Sequence, residues 1–162
     1  MKHSNAQALA AVVLAVAGMV PLSAAHAAQP DEKAVPQAAA QFYAALNAMF
    51  EGKVEPMNAV WSHTEDATYM GPDGKFIVGW DQISAGWKRQ AEMKLGGKVQ
   101  PEAMHVTVGQ DLAIVECLEV GENIVKGKPQ TVSLRATNTF RKKDGQWKMI
   151  GHHTDLLPFL AQ

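Results

Sequence analysis

In the first half of the chain, apolar residues recur at spacings of three and four. Phe42, Leu46, Met49 and Phe50 form one stripe, which predicts an amphipathic helix over about 35–50, opened by Pro36 and stopped by Glu51-Gly52-Lys53. Pro56 opens a second, short helix with Met57, Val60 and Trp61 on its apolar side. Residues 67–70 and 76–78 flank Gly71-Pro72-Asp73-Gly74 and read as a hairpin. A third helix begins at Trp80 or Asp81, with Ile83, Trp87 and Ala91 along one face. After Gly96-Gly97 the period changes to two: Met104, Val106 and Val108 alternate with His105 and Thr107. Leu112, Ile114 and Val120 mark a second long strand, which turns at Lys126-Gly127-Lys128-Pro129. Residues 131–142 make a third, and Asp144-Gly145 returns residues 147–154 as a fourth. Three helices followed by a four-strand antiparallel meander predict an α+β domain with helices packed on one face of a curved sheet.

The first thirty residues have a different pattern. Lys2 is their only charged side chain, and residues 8–20 are Ala, Val, Leu, Gly and Met without interruption. The run is shorter than the roughly 20 residues a membrane helix needs. Pro21 ends it, and Ala25-His26-Ala27 sets small residues where a signal peptidase reads. These features predict a secretory signal peptide over 1–27, cleaved after Ala27, then a flexible leader over 28–35 and a single domain over 36–160. The expected location is the bacterial periplasm or the exterior, with no stable membrane insertion once the signal is removed.

Charge and composition narrow the function classes. Fifteen Lys and Arg against sixteen Asp and Glu give a net charge of −1, which argues against nucleic acid as the main partner. A single cysteine excludes an internal disulfide and a cysteine-rich metal site. Cys117 lies in the run Ile114-Val115-Glu116-Cys117-Leu118 and reads as a core residue. His63, His105, His152, His153, Glu65, Asp66 and Asp155 show no helical His-x-x-x-His or His-Glu-x-x-His spacing. There is no glycine-rich phosphate loop and no Gly-x-Ser-x-Gly elbow. No metal or cofactor is therefore expected.

Four local features, in order, carry a resemblance: Phe42-Tyr43-Ala44-Ala45-Leu46-Asn47; Glu65-Asp66-Ala67-Thr68; Gly79-Trp80-Asp81-Gln82-Ile83; and Arg135-x-Thr137, Asp144-Gly145-Gln146-Trp147 and His152-His153 together. The chain from about Pro36 to Leu157 resembles the nuclear transport factor 2-like superfamily, in its SnoaL-like or ketosteroid-isomerase-like branch. The resemblance implies a cone: three N-terminal helices packed on a curved antiparallel sheet, a pocket between them, and commonly a homodimer packed through the sheet. It does not carry the isomerase chemistry, which needs a carboxylate base and an oxyanion hole of tyrosine and protonated aspartate. Those slots fall on Gly71, on Phe42, and on Thr137 or Asn138.

The remaining candidates form a short list. His152 and His153 are strand neighbours and face opposite sides; the resemblance favours His153 as the inward one, a general base or a hydrogen-bond donor. Asp155, two residues on, would orient it or pair with Arg135. Arg135 and Thr137 share a face; if concave, Arg135 would fork onto a carboxylate or phenolate, and if convex it meets solvent or a second subunit. Tyr43 beside the Phe42 slot is a candidate donor to an oxyanion. Trp61, Tyr69 and Trp87 are candidate pocket-lining residues, although large aromatics at such spacing also serve as core.

Three functions stay open on these residues: an exported protein binding a small, largely apolar molecule (aromatic or polyketide-like); a lyase, isomerase or cyclase using His153 as base in the same pocket; and a dimeric scaffold with a vestigial pocket. The first is favoured, because a secretion signal fits handling of an external small molecule.

Overall fold

The structure is a computed structural model that describes residues 30–160. The predicted signal peptide and its cleavage site lie outside the described residues. The helices are α1 (Pro30–Phe50), α2 (Glu55–Val60) and α3 (Trp80–Met93). The strands are β1 (Thr68–Met70), β2 (Phe76–Val78), β3 (Lys98–Val108), β4 (Leu112–Val125), β5 (Lys128–Lys143) and β6 (Gln146–Thr154).

Helix α1 begins at Pro30, earlier than the apolar periodicity indicates, so residues 30–35 are helical where a flexible leader was expected. The cause is tertiary. Asp31 accepts from Lys142 Nζ at 2.8 Å and from Trp147 Nε1 at 3.0 Å, which docks the added turn on the β5–β6 hairpin. From there, Val35, Ala39, Phe42, Leu46 and Met49 bury one stripe against the sheet. Each large side chain so buried contributes about 1.5–3 kcal/mol before entropy is counted.

The six strands form one sheet in the order β2-β1-β6-β5-β4-β3. The early hairpin joins the meander because β1 runs parallel to β6, with Tyr69 opposite His152; the other pairs are antiparallel. At the tight end Gly121 has φ +149° and faces Val99, and a β-carbon there would overlap the Lys98 carbonyl, so only glycine lets β3 and β4 approach this closely. The sheet curls around α1 and leaves the mouth of the cone beside α3 and the segment after β6.

Which face each strand residue takes decides the chemistry. On β4, Ala113, Val115, Cys117, Glu119 and Asn123 are buried on the inner face, while Leu112, Ile114 and Leu118 lie exposed outside. On β5, Val132, Leu134, Ala136, Asn138 and Phe140 point inward, so Arg135 and Thr137 point outward. On β6 the alternation breaks. Thr139 faces Gly151 and Phe140 faces Met149, which leaves Ile150 as an extra residue, a β-bulge. Trp147 and Met149 point inward before the bulge, and His152 and Thr154 after it. His153, which the resemblance favoured as the inward histidine, is exposed on the outer face.

Candidate functional site

Inside the cone, side chains from α1, β4, β5 and β6 form one directed hydrogen-bond chain. His152 Nδ1 lies 2.7 Å from Asn138 Oδ1. Asn138 Nδ2 donates to Tyr43 Oη at 3.0 Å. Since the Asn138 oxygen can only accept, the His152 proton sits on Nδ1, and Nε2 keeps its lone pair. Tyr43 then donates its single hydroxyl proton to Glu119 Oε1 at 3.0 Å, and the Cys117 thiol, 3.0 Å from Tyr43 Oη, is left to donate to it. Every donor in the chain is thus polarised toward the Glu119 carboxyl. His152 is held between Phe42 and Tyr69, with ring centroids 5.0 and 5.7 Å away.

Burial outweighs this donation. Glu119 is 4% exposed, and desolvation pushes its carboxyl up to about 7 against the opposing pull of the Tyr43 bond. Burial, then the neighbouring His153, hold His152 down to about 3. It is therefore a neutral acceptor over the ordinary pH range, and its Nε2, 3.9 Å from Glu119 Oε1, makes no ion pair with it. Burial also pushes the Tyr43 hydroxyl and the Cys117 thiol above their usual pKa values, which weakens both as acids and keeps both protonated.

Glu119 and His152 line a cavity of about 40 Å³, whose apolar wall includes Leu46, Phe50, Trp87, Val99 and Leu134. That space takes a small group and little more. The cavity abuts a vestibule of about 450 Å³, and Tyr69, Pro72, Gln90, Leu95 and Leu160 line both. Gln90 Nε2 donates to Tyr69 Oη at 3.2 Å across this throat. The chain end covers the mouth: Leu157 N donates to the Pro72 carbonyl at 3.0 Å, and Phe159 and Leu160 line the vestibule.

The sequence candidates divide between two faces. Tyr43, Tyr69 and Trp87 belong to the interior: Tyr43 in the relay, Tyr69 and Trp87 in the cavity wall. Trp61 is core, stacked with Trp80 and tilted against Trp87, with ring centroids 6.4 and 6.0 Å away. Arg135, Thr137, His153 and Asp155 do come together, but in an open depression on the outer face of the sheet. There Arg135 grips Asp155 through Nε and Nη2, each at 2.9 Å. The cause is the Ile150 bulge, which turns His153 out to sit opposite Thr137. A base at His153 acting inside the cone is therefore corrected to the outer surface.

Sequence reasoning missed Glu119, His152 and Gln90 as site residues. Glu119 had a signal: it lies in phase with Ala113, Val115 and Cys117. His152 had none, because the bulge that turns it inward leaves no mark in the residue pattern. Of the isomerase slots, Asn138 faces inward and is fully buried. At Gly71 a β-carbon would overlap the tip of the Tyr69 ring, so a side chain there would require Tyr69 to shift. Among the described residues no group of three or more His, Cys, Asp or Glu is placed to hold a metal ion.

Comparison with known proteins agrees with this architecture. The SnoaL-like domain family matches residues 35–156. A Streptomyces avermitilis protein described as a "putative dehydratase from the NTF2-like family" superposes with a TM-score of 0.69 at 21% identity, covering 78% of this chain and 97% of its own. A Thiobacillus denitrificans protein described as a "putative calcium/calmodulin-dependent protein kinase type II association domain" gives 0.64 at 26% identity, covering 75% and 94%. A nuclear transport factor 2-like superfamily protein of Salmonella enterica serovar Typhimurium gives 0.68 at 12% identity, covering 76% and 88%. No curated protein matches the chain. The helix order, the curved open sheet and the matched span together make this chain a member of the SnoaL-like domain family, with the cone fold of nuclear transport factor 2-like structures.

Proposed function

We propose that the protein binds a small, largely apolar molecule through the throat and moves a proton on the end that reaches the inner cavity, as an isomerase or a lyase of the dehydratase kind. The observation that carries this reading is Glu119: a carboxyl on the wall of an apolar cavity, poised at about 7 and fed by a chain of donors. A base poised near the working pH combines a populated basic form with useful basicity. In an isomerisation, ionised Glu119 takes a proton from carbon and returns it at a second carbon. In a dehydration, it takes the proton from carbon and delivers it to the departing hydroxyl, which leaves as water. His152 Nε2, neutral and facing the same space, accepts from a substrate hydroxyl. The Streptomyces neighbour described as a dehydratase is in keeping with this reading.

The test uses 5-nitrobenzisoxazole, a small aromatic whose carbon-bound proton a buried base removes with a colour change. Its turnover should rise with pH to a midpoint near 7, vanish in Glu119→Gln and survive in His153→Ala. Binding of the probe without turnover would leave the protein a carrier of small molecules, the reading favoured by the export signal. Turnover that depends on His153 would overturn the assignment.

The proposal includes a homodimer packed through the outer face of the sheet, where Leu112, Ile114 and Leu118 stand 42–46% exposed in a row on β4. Sedimentation should show a dimer that Leu118→Glu splits. A periplasmic or secreted location is proposed from the export signal; no helix among the described residues is long and apolar enough to cross a membrane.

A further inference from the structure

The vestibule carries an arrangement that the inner acid–base group does not use. Its charged lining is Asp73, Lys75, Arg89 and Lys126. Lys75 is spent on Asp73, at 2.9 Å. Arg89 and Lys126 have no ion-pair partner among the described residues, so the vestibule holds two uncompensated cations and no uncompensated anion. Their positions follow from the backbone. Gly86 stands one turn before Arg89 on α3, and the space beside its absent side chain is shared by the Arg89 guanidinium and Ile77, each 3.8 Å from where a β-carbon would sit. Lys126 and Gly127 take left-handed conformations, φ +51° and +73°, and form the two-residue turn between β4 and β5 that projects beside the mouth. The same lining includes the apolar side chains of Ile77, Met93, Val125 and Phe159.

We propose that Arg89 and Lys126 form an anion subsite at the rim, so that the ligand is a small amphipathic anion: an apolar body in the vestibule, its carboxylate, sulfonate or phosphate held at the rim, and its reacting end at Glu119. This rests on the reading of the inner cavity as a small-molecule site, and it adds the charge class of the ligand. The volumes agree with that division, since the inner cavity takes only a small group and the vestibule is about ten times larger. A fixed cationic rim also draws an anion to the mouth and sets its direction of entry.

The test uses two fluorescent probes of nearly the same apolar body: 8-anilinonaphthalene-1-sulfonate, which carries an anion, and N-phenyl-1-naphthylamine, which carries none. Both are titrated into the folded protein at low and at physiological salt. The expected result is sulfonate binding about tenfold tighter than the neutral probe at low salt, a preference that shrinks as salt is added. Arg89→Ala/Lys126→Ala should abolish the preference and leave neutral-probe affinity unchanged. The control is Lys33→Ala/Lys143→Ala, which removes the same charge at the far end of the cone, by the β5–β6 hairpin, and should keep the preference. Equal binding of the two probes, or a preference lost equally in the control, overturns the rim subsite alone. Failure of the neutral probe to bind at all overturns the small-molecule reading beneath it.

Discussion

Replacing Glu119 by glutamine and following stability against pH separates two buried groups whose effects oppose each other. The Glu119 carboxyl moves from 4.5 to about 7 on folding. Between those values the folded chain keeps a proton that the unfolded chain has released, so stability falls as pH rises, by about 3 kcal/mol across the window. His152 moves from 6.5 to about 3. Between those values the unfolded chain binds a proton that the folded chain refuses, so stability rises with pH, by about 5 kcal/mol. Where the windows overlap, from 4.5 to 6.5, the two slopes cancel. Glutamine keeps an acceptor for Tyr43 and removes the titration. The variant should therefore gain on the parent from pH 4.5 upward and level off above 7, about 3 kcal/mol ahead of the offset seen at pH 4.5. For a domain of this size that is about 10 °C in melting temperature. Urea unfolding and thermal melts at pH 4.5, 5.5, 6.5 and 8 measure it. A difference between variant and parent that does not change with pH would refute the reasoning, because it would mean that Glu119 ionises as an exposed carboxyl does.

Tyr43→Phe removes the hydroxyl donor to Glu119 and leaves Asn138 Nδ2 and the Cys117 thiol without their acceptor; it should cost about 1–3 kcal/mol in urea unfolding and raise the Glu119 carboxyl further. Cys117, buried with its acidity weakened, should react with a disulfide reagent only at the rate of unfolding, and rapid stoichiometric labelling of the folded protein would contradict its placement.

The helices were legible because each shows a single apolar stripe: Phe42, Leu46, Met49 and Phe50 placed α1, and Ile83, Trp87 and Ala91 placed α3. The turns at Lys126-Gly127 and Asp144-Gly145 were legible because their chemistry is local. The start of α1 was not, because residues 30–35 are held by Asp31 reaching the β5–β6 hairpin, a contact more than a hundred residues away in the chain. Strand faces were ambiguous on β4 for a physical reason. Leu112, Ile114 and Leu118 outside are as apolar as Ala113, Val115 and Cys117 inside, so alternation alone cannot say which row is buried. The largest effect came from one residue: Ile150 exchanges the faces of His152 and His153. That exchange sets His153 beside Arg135, Thr137 and Asp155 on the outer surface and brings His152 to Asn138 and Glu119 within.

Acid–base chemistry in the cone depends on Glu119 titrating near neutrality. Carbon-13 NMR of its side-chain carboxyl, in protein labelled at glutamate and assigned by the resonance missing from Glu119→Gln, measures this directly. A midpoint near 7 is expected for that one resonance, well above the ordinary glutamate value near 4.3. A Glu119 midpoint near that ordinary value would contradict it.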